Sequence, residues 1–277
     1  MSTVKTTIIC GLLTLSTLLT AQEETTIPFK ISDYGLIFTE VSINGEMVNA
    51  MIDFGQPHLL MLSSSLIKKQ GIKAEKSDKV GYNIDGEELP FYEGTANQLQ
   101  VQGLSLSSVD FTSSPNEMES VSAQIGTRFD AALGWGFFSQ YFFTLNYSKT
   151  EITLTEKAAP IAGSFTVPYD KAGSYMMLKV GLDEQEGQLI IDTGAPVSTL
   201  HDGFIKGKTP VDNAWGQPSL LLNTQIGTEK LELAFELRDL SVLESLKVVG
   251  ILGGDLLQQY VISIDPDKQT MYWKPLG

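Results

Sequence analysis

The feature that most constrains this chain is that its pattern occurs twice. Residues 131–154, "AALGWGFFSQYFFTLNYSKTEITL", align with residues 250–273, "GILGGDLLQQYVISIDPDKQTMYW", at a constant offset of 119. Leu133 falls on Leu252, Gly134 on Gly253, Gln140 on Gln259, Tyr141 on Tyr260 and Lys149 on Lys268. An upstream pair, "FTEVSINGEMVNAMIDFGQPHLL" (38–60) and "MLKVGLDEQEGQLIIDTGAPVST" (177–199), aligns at an offset of 139. It puts Val41 on Val180, Ile52 on Ile191, Gly55 on Gly194, Pro57 on Pro196 and Asp53 on Asp192. The offsets differ because the first copy carries about 20 more residues between its aspartate and its glycine-rich turn.

Each copy predicts a strand, a turn, a strand ending in Asp-x-Gly, a hairpin, a further strand pair, then an apolar-Gly turn with a short helix and a closing hairpin. Short runs of Val, Ile, Leu, Phe and Tyr cut by Gly, Asn and Asp favour an all-β protein. "NIDGEELPF" (83–91), with Asp85-Gly86 at its tip, reads as a hairpin, and "NTQIGTEKLEL" (223–233) as its counterpart. "SSSLIKKQG" (63–71) predicts one helix closed by Gly71. "EKAAPIAGS" (156–164) predicts a linker, which divides the 277-residue chain into lobes over 22–155 and 165–277.

The first 21 residues predict a secretory signal. Lys5 is its basic end, "IICGLLTLSTLL" is too short to span a bilayer as a helix, and "TAQEE" places cleavage after Ala21. Ile9 stands before Cys10 where a lipoprotein site expects a small residue, so no lipid anchor is expected. The expected product is exported to the periplasm or outside the cell, with no stable membrane span, as a monomer. Without the leader no cysteine remains, which excludes disulfides and thiol catalysis. A net charge of −14 argues against nucleic acid as a partner.

The most specific segments are "LIIDTGA" (189–195) and "VVGILGGDLL" (248–257). Asp-Thr-Gly after three aliphatic residues, followed about 60 residues later by apolar-Gly-Ile-Leu-Gly and repeated in altered form, resembles the aspartic peptidases of the retropepsin-like and pepsin-like type. The resemblance covers about 36–155 and 165–274. It implies two retropepsin-like (acid protease) β-barrel lobes in one chain, with Asp53 and Asp192 as the catalytic pair. Gly55, Thr193, Gly194, Ala195, Gly134 and Gly253 are then implied as supports of the pair, and a hairpin flap with Tyr82, Asp85 and Gly86 over a polypeptide cleft. Two carboxylates held close cannot both ionise, so one can act as base toward a water and the other as acid toward the carbonyl. Such chemistry needs no cofactor and no metal.

The first copy departs from the family pattern. It reads "DFGQ" where "DTGA" or "DTGS" is expected. Phe54 has no hydroxyl for the cross-lobe hydrogen bond that the resemblance implies, and its ring is expected to pack between the lobes. Gln56 is bulkier than the usual small residue beside the pair. Two functions therefore stand: an exported aspartic endopeptidase, or a degenerate fold of the same type that binds peptide or protein without cutting it. His58 and His201, the only histidines, are expected at the surface rather than on a metal. Asp202 stands where a phosphate loop would need its first glycine before "GKT", so no nucleotide site is expected.

Overall fold

A computed structural model describes residues 24–82, 88–157, 160–172, 175–204, 206–213 and 216–276. The signal segment, the hairpin tip with Asp85 and Gly86, and part of the 156–164 linker lie outside these residues. The first half carries strands β1 (Thr25–Pro28), β2 (Lys30–Ile31), β3 (Ile37–Ile43), β4 (Glu46–Asp53), β5 (Leu60–Leu62), β6 (Ala74–Tyr82), β7 (Glu88–Val101), β8 (Leu104–Ser113), β9 (Ala131–Gly134), β10 (Phe142–Asn146) and β11 (Glu151–Thr155). The second carries β12 (Phe165–Pro168), β13 (Asp170–Ala172), β14 (Tyr175–Leu182), β15 (Gln185–Ile191), β16 (Thr199–His201), β17 (Val211–Asp212), β18 (Pro218–Ile226), β19 (Glu229–Arg238), β20 (Gly250–Leu252), β21 (Tyr260–Asp265) and β22 (Thr270–Pro275). Helices α1 (Ser64–Gln70), α2 (Glu117–Ile125), α3 (Trp135–Phe138) and α4 (Gly254–Leu257) and a 3₁₀ helix (Ser241–Leu246) complete it.

The two halves share one topology. The first eight-stranded sheet runs β2-β3-β4-β9-β5-β8-β7-β6 and the second β13-β14-β15-β20-β16-β19-β18-β17, strand for strand the same order. In each, one extra pairing, β3 with β7 and β14 with β18, closes six of the strands into a barrel. Closure removes most open edges, so the backbone groups of these strands pair within the lobe. The fold is all-β with two barrel lobes, as the repeat and the resemblance imply. The alignment offsets hold in the registers. Ile52 lies opposite Leu133 in the parallel β4–β9 pair, and Ile191 opposite Leu252 in β15–β20.

The closing hairpins leave the barrels and join in a third sheet, ordered β1-β11-β10-β21-β22-β12, drawn from both halves. At its centre β10 and β21 are antiparallel, with Thr144 opposite Ser263. These two residues are themselves related by the offset of 119. A local two-fold axis therefore passes between them. One apolar cluster runs through both barrels and this sheet. Two smaller clusters are also repeat-related: Phe38, Phe129 and Ala132 under α2, and Met177, Val248 and Ile251 under the 3₁₀ helix.

The predicted helix at 63–71 is α1. Ser63 Oγ accepts from Leu66 N, and Gly71 ends the helix in the left-handed region at φ 64°. The extra residues of the first copy lengthen the hairpin formed by β6 and β7, which are 9 and 14 residues long against 2 and 9 in β17 and β18. Among the described residues, no helix is long and apolar enough to cross a membrane.

Candidate active site

Each lobe builds an aspartate loop in the same way. β4 ends at Asp53, opposite Gly134 on β9. The chain then turns, Gln56 N donating to Asp53 O at 3.2 Å, and passes over the glycine. Trp135 N donates to Gln56 O at 2.8 Å and Gly134 N to Leu59 O at 3.1 Å. A β-carbon on Gly134 would stand 2.5 Å from Gln56 O, so only glycine lets the loop lie this close. In the second lobe Asp192 N donates to Leu252 O at 3.0 Å and Gly254 N to Ala195 O at 2.8 Å. A β-carbon on Gly253 would lie 2.6 Å from Val197 O.

The two loops meet across the lobe boundary. A β-carbon on Gly55 would stand 2.5 Å from both carboxylate oxygens of Asp192, and one on Gly194 2.6 Å from Asp53 Oδ1. Each carboxyl thus rests on the glycine of the opposite loop, which brings Asp53 and Asp192 side by side. Asp192 Oδ1 accepts from Gly194 N at 2.7 Å and from Gly55 N at 3.2 Å. Asp53 Oδ1 accepts from Gln56 N at 3.1 Å. Burial pushes the Asp53 carboxyl well above the usual carboxylate range, and the charge of Asp192 pushes it further. Burial raises Asp192 too, opposed by the hydrogen bond from Asp53 and by the backbone N–H groups of Gly194, Gly55 and Ala195. Both carboxyls are raised by burial, and the pair titrates as a unit.

Thr193 is fully buried and reaches across. Its Oγ1 donates to Ile52 O at 2.8 Å and accepts from Phe54 N at 2.9 Å. The mirror-image bonds from residue 54 have no hydroxyl to make them. Phe54 does not pack between the lobes as expected. It is fully buried inside its own half, its ring 5.1 Å from Phe138, 5.5 Å from Phe143 and 6.2 Å from Trp135 in edge-on contacts. Those three aromatic residues form a pocket that the ring fills. Gln56 folds back on its own loop, Nε2 against Met61 Sδ at 3.1 Å and Oε1 accepting from His58 N at 3.2 Å.

A second asymmetry reinforces the first. Ser198 donates to Asp255 Oδ1 from N at 2.9 Å and from Oγ at 2.7 Å, and its Oγ accepts from Gly253 N at 3.1 Å. The repeat-equivalent residues in the first lobe are Leu59 and Gly136, which have no polar side chains to do this. The Asp192 loop is tied to the glycine-rich turn by Ser198 and Asp255, whereas in the Asp53 loop the Gln56 side chain ties only residues of its own loop.

Asp53 and Asp192 line a cleft of about 490 Å³. The β6–β7 hairpin contributes Lys79, Gly81, Leu89 and Phe91 to it. Tyr82 ends β6, paired with Glu88 on β7. His58 lies at the edge of the cleft. It is half-buried in the cleft with its ring 5.4 Å from Phe91, and burial, with Lys79 nearby, holds its imidazole below the ordinary histidine range. His201 Nδ1 accepts from Leu240 N at 3.1 Å. Sequence reasoning missed Tyr175, at the start of β14, whose hydroxyl is pushed up by burial and by the charges of Asp53 and Asp192. Its repeat partner is Leu36, so no shared motif marked it.

Residues 39–137, which contain Asp53, Gly55 and Gly134, match the family model described as aspartyl protease. No curated protein matches the chain. By sequence over residues 39–137, and by an all-β architecture that the second half repeats, the chain resembles the aspartyl proteases.

Proposed function

We propose that the chain is an aspartic endopeptidase in which Asp53 and Asp192 form the catalytic pair. The observation that carries this reading is the meeting of the two loops: repeat-related carboxyls, each seated on the other's glycine, at the floor of a cleft shared by both lobes. A water held between them would lose a proton to Asp192 as its oxygen attacks the peptide carbonyl. Asp53 would give its proton to the carbonyl oxygen, forming a neutral gem-diol. Collapse of that diol would return a proton to Asp53, and the leaving amine would take the one held by Asp192. Burial keeps solvent from screening these transfers, and the β6–β7 hairpin borders the site.

General acid–base groups of this kind are worth about 10²–10⁴ in rate. Asp53→Asn and Asp192→Asn should each lower cleavage of a denatured protein substrate by that order while leaving the fold intact. Wild-type rates in either variant would sink the pair. The alternative, a peptide-binding module without cleavage, is favoured by one observation, the missing hydroxyl at Phe54. It predicts peptides that bind, are displaced by a transition-state-analogue peptide and are recovered uncut. We also propose export, from the basic and apolar residues before Ala21. N-terminal sequencing of protein recovered from its host should then begin at Gln22, and an intact Met1 would refute it.

A further inference from the structure

The cleft holds a carboxyl that the proposed reaction does not use. Glu117 begins α2 and lines the same cavity as Asp53 and Asp192, with Ser114 beside it. The two acids at this end of α2 behave differently. Glu119 turns to α1, where Oε1 accepts from Ser64 Oγ at 3.0 Å and Ser65 N at 2.9 Å. Glu117 faces the cavity half-buried, and burial, opposed by a hydrogen bond with Ser114, pushes its carboxyl up. Among the described residues Glu117 forms no ion pair. Lys79, the cation that lines the cleft, is committed to Glu93 at 2.8 Å. Burial and the charge of Lys79 hold His58 below its ordinary range.

A partly desolvated carboxylate without a counter-charge is unfavourable, and a cation brought by a ligand would relieve it. Another part of the lining differs in kind. There the 3₁₀ helix presents three apolar side chains, Val242, Leu243 and Leu246, beside Ser245. The net charge of −14 adds a long-range attraction for cationic peptides.

Building on the peptidase reading, we propose that Glu117 is a specificity-determining residue: the cleft selects peptides that place Lys or Arg against Glu117 and Ser114, and an apolar side chain against the 3₁₀ helix.

The test uses non-cleavable peptides with a hydroxyethylene isostere at the scissile bond, bound near neutral pH and measured by calorimetry. One series carries a single Lys at each of the flanking positions in turn; a matched series carries norleucine there. At one position the Lys peptide should bind wild type about tenfold more tightly than its norleucine partner, the worth of one partly desolvated charge pair. Glu117→Gln should remove that preference, and Glu117→Lys should reverse it toward a glutamate peptide. The norleucine peptides should bind all three proteins alike and lose affinity in Asp192→Asn. If no position shows a Lys preference, or if it survives Glu117→Gln, the subsite is overturned while the peptidase reading stands. If folded wild type binds none of the peptides, both fall together.

Discussion

At the scale of single residues the site turns on positions 193 and 54. Thr193 gives and receives one hydrogen bond across the lobe boundary while fully buried. Thr193→Val keeps the volume and leaves Ile52 O and Phe54 N unpaired, at a cost of about 1–3 kcal/mol for each buried group. Chemical denaturation should show that loss together with a fall in peptide cleavage. Phe54→Thr writes the family motif back into the first lobe, yet it should not repair the lock. Removing a ring packed on Trp135, Phe138 and Phe143 leaves a cavity, and large-to-small changes of this kind cost about 3–5 kcal/mol. A Phe54→Thr protein as stable as wild type would mean that the ring is not where the packing puts it. Asp53 and Asp192 were legible because the repeat supplies the alignment that one motif lacks. The destination of Phe54 was not, since a buried ring has several candidate pockets and sequence does not rank them. Tyr175 and Glu117 were illegible because neither belongs to a repeated pair.

At the scale of elements, the strands were readable and the decorations were not. Alternation, Gly-Asp turns and the two offsets predict both barrels, and Ser63 with Gly71 brackets α1. α2 was not legible, since Met118, Val121 and Ile125 mark only a short helical stripe and Asn116 makes no side-chain cap. The long β6–β7 hairpin is the element that most distinguishes the two halves. It borders the cleft, and its equivalent in the second half is short. Replacing residues 79–91 by a two-residue Asn-Gly turn should leave both barrels intact, because β6 is the outermost strand of its sheet. Loss of substrate positioning should then lower kcat/KM by about 10². Unchanged turnover would show that the hairpin does not close on substrate.

At the scale of the whole molecule, the shared sheet should make the halves one cooperative unit. Trp135 in the first half and Trp273 in the shared sheet are both buried, so fluorescence and far-ultraviolet dichroism should report one coincident unfolding transition. The pair also sets how stability follows pH. Asp53 has a folded value raised above the ordinary carboxylate range, so as pH rises the unfolded chain releases this proton first. Stability from this group is therefore greatest in acid and is lost as pH rises toward the folded value. Asp53→Asn removes the titration. The variant should melt at a higher temperature than wild type near neutral pH, and the gap should close in strong acid. A wild type that outlasts Asp53→Asn at neutral pH would contradict the burial that drives the shift.

The axis between Thr144 and Ser263 has an evolutionary consequence. A symmetric pair of identical chains meeting at such an axis carries every substitution in duplicate. A threonine exchanged for phenylalanine would strip the boundary of both its hydroxyls at once. A fused chain is free of that penalty, because each copy drifts alone. Here one copy carries the hydroxyl and the tied loop, while the other lacks both and borders the cleft with the longer hairpin. Inheritance in tandem lets two halves that began with the same duties come to divide them.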